Sequence, residues 1–256
     1  MQAVARNEAE IHESQRKGGV GRRHDYIGTP GEIEDRPQAF LVVRPYANAR
    51  IEPHFHDVDQ FQIVVAGDGR IGKKAVRPIT FQYADAFTPY GPIVARDDGI
   101  SFFTLRNFAS GGHWSMPGNK HNMPCRAGRN IEGVFELGNI PQAGTKTEEL
   151  MPQQSDGVRV VGIRLAAHAE APGIPAEGGQ FYLVCSGTIL QDGRDMPESS
   201  LIRVEAGEAA PSLLAGAEGA EVLVVQFANP SQRPGSDPAQ LAHRAAGYVK
   251  RQKDGT

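Results

Sequence analysis

One eight-residue segment occurs twice in this chain of 256 residues. Gln60-Phe61-Gln62-Ile63-Val64-Val65-Ala66-Gly67 returns as Gln180-Phe181-Tyr182-Leu183-Val184-Cys185-Ser186-Gly187, with no gap and an offset of 180 − 60 = 120. Further on, Tyr83–Pro89 aligns with Glu205–Pro211 at an offset of 122, and Ile100–Leu105 aligns with Glu221–Gln226. Three matched segments in the same order imply two tandem copies of one unit. The chain is long enough for each copy to bury its own core. The repeated runs are short, rich in β-branched residues and bounded by Gly, Pro or charge, as are Phe40–Val43 and Val158–Leu165. That pattern reads as strands, and 30 Gly with 18 Pro supply the turns between them. The expected class is all-β.

The first copy contains Pro53-His54-Phe55-His56-Asp57-Val58-Asp59-Gln60 just before its repeated strand. Two histidines at i and i+2 of an extended segment face the same way, so their imidazoles can converge on one point inside a barrel. Paired imidazoles are a common way to hold a divalent metal. Carried back by the same offset of 120, the second copy has Ile174 and Ala176 at these places. Its nearby histidine, His168 in Ala-Ala-His-Ala, has no partner at ligand spacing and reads as structural or solvent-facing. Chemistry is therefore expected in the first copy.

The spacing His54-x-His56, Gln60, Gly67 resembles the first motif of the cupin family, with Gln60 where the family carries Glu. A second motif follows in altered form. Tyr83 stands in its first Gly place, Pro89-Tyr90-Gly91 matches, Val94 holds the His position and Asp98 the Asn position. The resemblance implies two tandem cupin barrels, each a double-stranded β-helix or jelly roll. It also implies a divalent ion, Fe, Mn, Ni or Zn, in a barrel mouth. By position His54, His56 and Gln60 would hold that ion, with nothing from Val94. Cupins include dioxygenases, isomerases, decarboxylases and binding or storage proteins, so the fold fixes no reaction.

The expected organisation is a lead-in arm over residues 1–36, a first barrel over 37–108, a connector over 109–154, a second barrel over 155–230 and a C-terminal helix and tail over 231–256. The helix is read from Asp237-Pro238, an N-cap followed by proline at the first helical position. The cluster Arg16-Lys17-Gly18-Gly19-Val20-Gly21-Arg22-Arg23 reads as a solvated arm rather than a phosphate-binding element. Twenty-seven basic against 30 acidic residues give a net charge of −3, which argues against a nucleic-acid binder. No apolar run approaches the roughly 20 residues needed to span a bilayer, and Met1–Arg23 lacks a signal pattern, so a cytoplasmic location is expected. Two cysteines make no disulfide framework; Cys185 reads as a buried small hydrophobe, and nothing near Cys125 marks it as activated.

Two functional readings follow. In one, a metal-dependent oxygenase or isomerase acts on a small, anionic organic molecule, with Tyr90 or His113 contacting the substrate. In the other, a metal-free cupin binds a small molecule or serves in assembly, and His54, His56 and Gln60 form a hydrogen-bonding cluster. A small-molecule ligand is the expected partner, with a homodimer as the candidate assembly. Trp114, beside His113, suits a pocket wall and a packed junction equally well.

Overall fold

The computed structural model describes residues 1–30, 36–110, 113–123 and 128–229. These residues divide into two compact units. In the first, antiparallel strands run in the order Thr80–Ala84, Gln60–Ile71, Ile93–Arg106, Gln38–Arg44, Gly19–Ile27 and Glu10–Arg16. In the second, the order is Gln2–Val4, Leu201–Val204, Gln180–Gln191, Ser212–Gln226, Arg159–Leu165 and Thr145–Met151.

The central ladders of the two units superimpose at one constant offset. Gly67 pairs with Ile100 and Gly187 with Ala220; Phe61 pairs with Tyr83 and Phe181 with Arg203. Both long central pairs also break register at the same place, between Ala66 and Val64 in one and Ser186 and Val184 in the other. An extra residue there, Val65 or Cys185, is a β-bulge that bends the strand. The offset is thus 120 through these ladders and 121 for Gln38–Arg44 against Arg159–Leu165, and the sequence alignments through Tyr83 and Ile100 were two residues and one residue out of register. Weakly similar strand ends carry no side-chain signal strong enough to fix a register, whereas backbone pairing fixes it outright.

Gly67 and Gly187 explain why the motif ends in glycine. Their φ angles are 71° and 70°, and a Cβ would lie 2.1 Å from the Gly99 carbonyl oxygen or 2.0 Å from that of Gly219. No other residue fits that approach.

The structure corrects the domain boundaries in three places. Gln2–Val4 is not an arm but an edge strand of the second unit, paired with Leu201–Arg203. Glu10–Arg16 and Gly19–Ile27 form a hairpin on the first unit's sheet. Thr145–Met151, read as connector, pairs with Arg159–Leu165 in the second unit. All three segments lie at or near a sheet edge and are largely exposed, so they lack the apolar alternation that marks a strand. The expected C-terminal helix lies outside the described residues, as does Cys125. Cys185 is buried, and burial pushes its thiol upward. His168 is exposed at a turn with φ 57°. Among the described residues no helix is long and apolar enough to cross a membrane.

The N-terminal strand is a structural part of the second unit. Val4 and Ala5 are buried, and Arg6 N–H donates to Ser200 Oγ at 3.1 Å. Val4→Asp should therefore destabilise that unit by about 2–3 kcal/mol, through lost burial and an unpaired buried carboxylate. Hydrogen exchange at Leu201–Val204 checks this, with faster exchange there and none added in Gln60–Ile71 as the expected result.

Candidate functional site

The first unit encloses a cavity of about 370 Å³. His54 and His56 reach it because their short segment is clamped on both sides. His54 and Tyr90 exchange a pair of backbone hydrogen bonds at 3.1 Å, and Ser115 pairs with His54 from the other side. The two imidazole centroids lie 5.2 Å apart, and His113 stands 5.2 Å from His54. His54, His56, Tyr90 and His113 thus all line one space. Trp114 does not: it is buried and stacks on Phe55 at 5.5 Å, sealing the segment from behind.

Hydrogen-bond geometry assigns the protons. Gln60 and Gln62 amides both donate to the Tyr90 hydroxyl, at 2.5 and 3.3 Å, so that oxygen accepts twice. Its own proton then goes to His54 Nε2 at 2.8 Å. His54 Nδ1–H in turn donates to the Glu52 carbonyl at 2.7 Å. Burial first, then the charges of His113 and Arg106, push the His54 pKa down to about 4. Burial likewise pushes Tyr90 upward. Both groups are neutral at pH 7.

Arg106 is the residue that sequence reasoning missed. It ends the strand Ile93–Arg106, pairs with Gln38 across the ladder and is 8% exposed. Its Nε donates to Gln60 Oε1 at 3.1 Å, one terminal nitrogen donates to Gln38 Oε1 at 3.2 Å, and the other lies 3.2 Å from His56 Nε2. Ser110 Oγ gives its proton to Asp57 at 2.7 Å and so accepts from His56 Nδ1 at 3.2 Å. His56 Nε2 is therefore the unprotonated nitrogen, and the same Arg106 nitrogen, 3.2 Å from it and 3.4 Å from Nδ1, lies against the ring rather than along one lone pair. Burial pushes the Arg106 pKa down, opposed by Tyr90 and Asp57, yet an arginine stays protonated at any ordinary pH. Asp57 acts at a distance only: among the described residues no carboxylate forms an ion pair with Arg106.

The alternation Phe102, Thr104, Arg106 was the available signal, since it places a charge on the inward face of a barrel strand. The repeat offers another. Ladder positions equivalent to Gln60, Gln62, Thr104 and Arg106 are Gln180, Tyr182, Val224 and Gln226. In the second unit Gln180 bonds Gln226 at 2.7 Å, Tyr182 donates to the Ile174 carbonyl at 3.2 Å, and Val222 and Val224 complete an apolar core. One interior is filled and neutral; the other is open and cationic.

This arrangement does not fit a divalent ion held by His54, His56 and Gln60. The Nε2 lone pair of His54 takes the Tyr90 proton, and the His56 ring has the Arg106 guanidinium against both its nitrogens. The Gln60 carbonyl oxygen, the atom that would ligate, accepts from Arg106. A fixed cation within hydrogen-bonding distance of two of three ligands opposes a second cation. Among the described residues no group of three or more His, Cys, Asp or Glu side chains is placed to hold a metal. The position of the missing motif-two histidine does not compensate: Val94 lies outside the cavity wall, which its neighbour Ile93 lines.

No family model matches the chain, and no curated protein matches it. Solved structures do. A candidate dioxygenase from Nostoc punctiforme aligns at a TM-score of 0.65 and 11% identity, over 90% of this chain and 84% of that one. Oxalate decarboxylase from Bacillus subtilis aligns at 0.59 and 13%, over 90% and 76%. Vicilin from hazelnut, Corylus avellana, aligns at 0.56 and 12%, over 90% and 86%. All three are cupin-fold proteins. The fold is that of a bicupin. Two of these bicupin neighbours are described as enzymes, and another structure of the decarboxylase, at 0.58 and 13%, concerns its Mn(II) centres. At this identity the likeness carries the fold and leaves the reaction to the site.

His54 gives this bicupin a defined acid response. The unfolded chain takes up a proton at His54 near pH 6.5, the folded one only near 4. The unfolded state binds more protons between those values, so the His54 contribution is complete above about 6.5 and is lost as pH falls toward 4. Chemical denaturation in steps across this window should show that decline, and His54→Asn should flatten it.

Proposed function

We propose that the N-terminal barrel binds a small organic anion and transforms it by proton transfer, with Arg106 supplying the positive charge that a metal supplies elsewhere in the family. One observation carries this reading. Arg106 is buried in amide and imidazole contacts without an acidic partner, in the wall of a cavity that no Asp or Glu lines. Asp57, buried and hydrogen-bonded to Ser110, offsets that charge only in part and forms no ion pair with it, and a carboxylate entering beside the guanidinium completes the compensation. The guanidinium fork suits a carboxylate, and its hydrogen bonds to Gln38 and Gln60 fix its plane.

The chemistry that suits these groups is isomerisation. A proton leaves the carbon next to the bound carboxylate for the His54–Tyr90 pair. The electron pair moves onto the carboxylate as an enediolate beside Arg106, and a proton returns to the same carbon from the opposite face, which inverts its configuration. Nothing is oxidised, and all bonds balance. His54 acts through Tyr90: the Tyr90 oxygen takes the substrate proton, displacing the long Gln62 hydrogen bond, as its own proton passes to His54 Nε2.

Calorimetric titration with small carboxylates, together with deuterium exchange at the carbon next to the carboxylate, tests both parts. Arg106→Met should lower carboxylate affinity at least tenfold, about 1.4 kcal/mol. Arg106→Lys keeps the charge and should restore part of it, which separates charge loss from misfolding. Gln60→Glu should also weaken binding, because its carboxylate would pair with Arg106 and cancel the field. Tyr90→Phe should leave binding largely intact and slow exchange by a factor of about 10²–10⁴. The competing reading is a metal-dependent oxygenase or isomerase. Stoichiometric divalent metal in protein purified without a histidine tag, lost on replacing His54 and His56 by alanine, would put that reading in place of this one.

A further inference from the structure

We propose that Arg16, Lys17 and Arg44 form a second anion subsite at the mouth of the N-terminal barrel, so that its ligand is a small organic dianion held at both ends. This rests on the anion reading above and specifies its ligand class. The tip of the hairpin Glu10–Arg16/Gly19–Ile27 carries Arg16 and Lys17 to the wall of the same cavity that Arg106 lines, and Arg44 joins them there. The cluster read from sequence as a solvated arm is therefore part of the cavity mouth.

None of these three cations forms an ion pair among the described residues; Glu52, exposed and already held by Arg50, only feels the charge of Lys17. Arg16 donates to Ser14 Oγ at 3.0 Å, and Arg44 donates only to the carbonyls of Val43 and Arg22, at 3.0 and 3.4 Å. Arginines elsewhere behave differently: Arg23 pairs with Asp25, Arg129 with Asp85 and Arg203 with Glu205. Even Arg50, also at this mouth, is held bidentately by Glu52 at 2.7 and 3.0 Å. Arg44 is half-buried, and burial together with the charge of Arg16 pushes its pKa down. Like charges are thus held together with no acid between them.

The hairpin is shaped for this arrangement. A Cβ on Gly21 would lie 2.6 Å from the Arg44 guanidinium, and one on Gly19 would lie 2.6 Å from the Tyr46 ring. Bare backbone at these two positions lets Arg44 and Tyr46 lie against the strand, with Arg44 turned to the cavity. Between the two charged ends, Gln62 lines the wall, is 4% exposed and has no partner for its carbonyl oxygen. A ligand hydroxyl or amine would satisfy it. At about 30 Å³ per water, the 370 Å³ cavity holds roughly a dozen waters, room for a short acid with a charge at each end.

Calorimetry on the full chain tests this with three probe sets: α,ω-dicarboxylates from malonate to adipate, the matched monocarboxylates, and phosphorylated acids such as phosphoglycolate. Dicarboxylates or phosphorylated acids of one preferred length should bind at least tenfold tighter than the matched monocarboxylates, and that preference should shrink as salt rises. A phosphorylated acid binding best would identify the distal group as phosphate, and a dicarboxylate binding best as carboxylate; either supports the subsite. In Arg16→Ala/Lys17→Ala, two exposed positions at a turn, the ratio of dianion to monoanion affinity should fall toward one. Gly21→Ala should lower the same ratio by displacing Arg44. If monoanions bind and dianions bind no better, the second subsite is overturned while the anion reading stands. If no carboxylate binds at all, both fall.

Discussion

A guanidinium kept inside a β-barrel without an ion pair of its own governs this site. Arg106 is charged at any accessible pH, so its burial cannot be relieved by losing a proton, as a lysine's could. Its hydrogen bonds to Gln38, Gln60 and His56 satisfy its donors but not its charge. The remaining site groups are oriented around it. Gln60 spends its oxygen on Arg106 and its nitrogen on Tyr90, Tyr90 therefore donates to His54, and His54 is fixed in the tautomer that donates to Glu52. One charge thus propagates into a definite proton arrangement five residues long.

The second unit shows what the same ladder does when that charge is absent. Gln226 stands where Arg106 does, and the glutamine opposite closes onto it instead of holding a cation. Tyr182 replaces Gln62 and reaches across to the backbone at Ile174, occupying interior space that remains open in the first unit. Apolar side chains fill the rest. Burial of that core stabilises the second unit, whereas the first gives up part of such packing to keep a cavity.

Much of the fold was legible because backbone constraints repeat exact residues: the glycine at 67 and 187 is required by a close carbonyl approach, and the strand beginning Gln-Phe leads into it in both copies. The register beyond was not legible, since it depends on pairing with segments far away in sequence. The edge strands Gln2–Val4, Glu10–Arg16 and Thr145–Met151 were missed because exposed strands need no apolar face. At the site, His54, His56 and Tyr90 could be found from local spacing alone. Arg106 left only the weaker signals of strand alternation and of the repeat, because its role lies in the partners at Gln38 and Gln60, 68 and 46 residues away.

Two departures from the family pattern then turn out to be one. Glutamate at position 60 would serve a metal by giving a charged oxygen to a cation bound from solution. Beside Arg106 the same glutamate would form an internal ion pair and leave the cavity electrically quiet. Glutamine keeps the acceptor that orients the guanidinium and withholds the charge that would neutralise it. The loss of a histidine at Val94 fits the same logic, since a site whose cation is part of the chain needs no fourth ligand. What the first barrel gains is a positive charge that cannot dissociate, be exchanged or be chelated, at the cost of a cation unable to change its coordination or oxidation state. Such a site favours chemistry in which charge develops and disappears on a bound anion while the protein's own cation stays fixed.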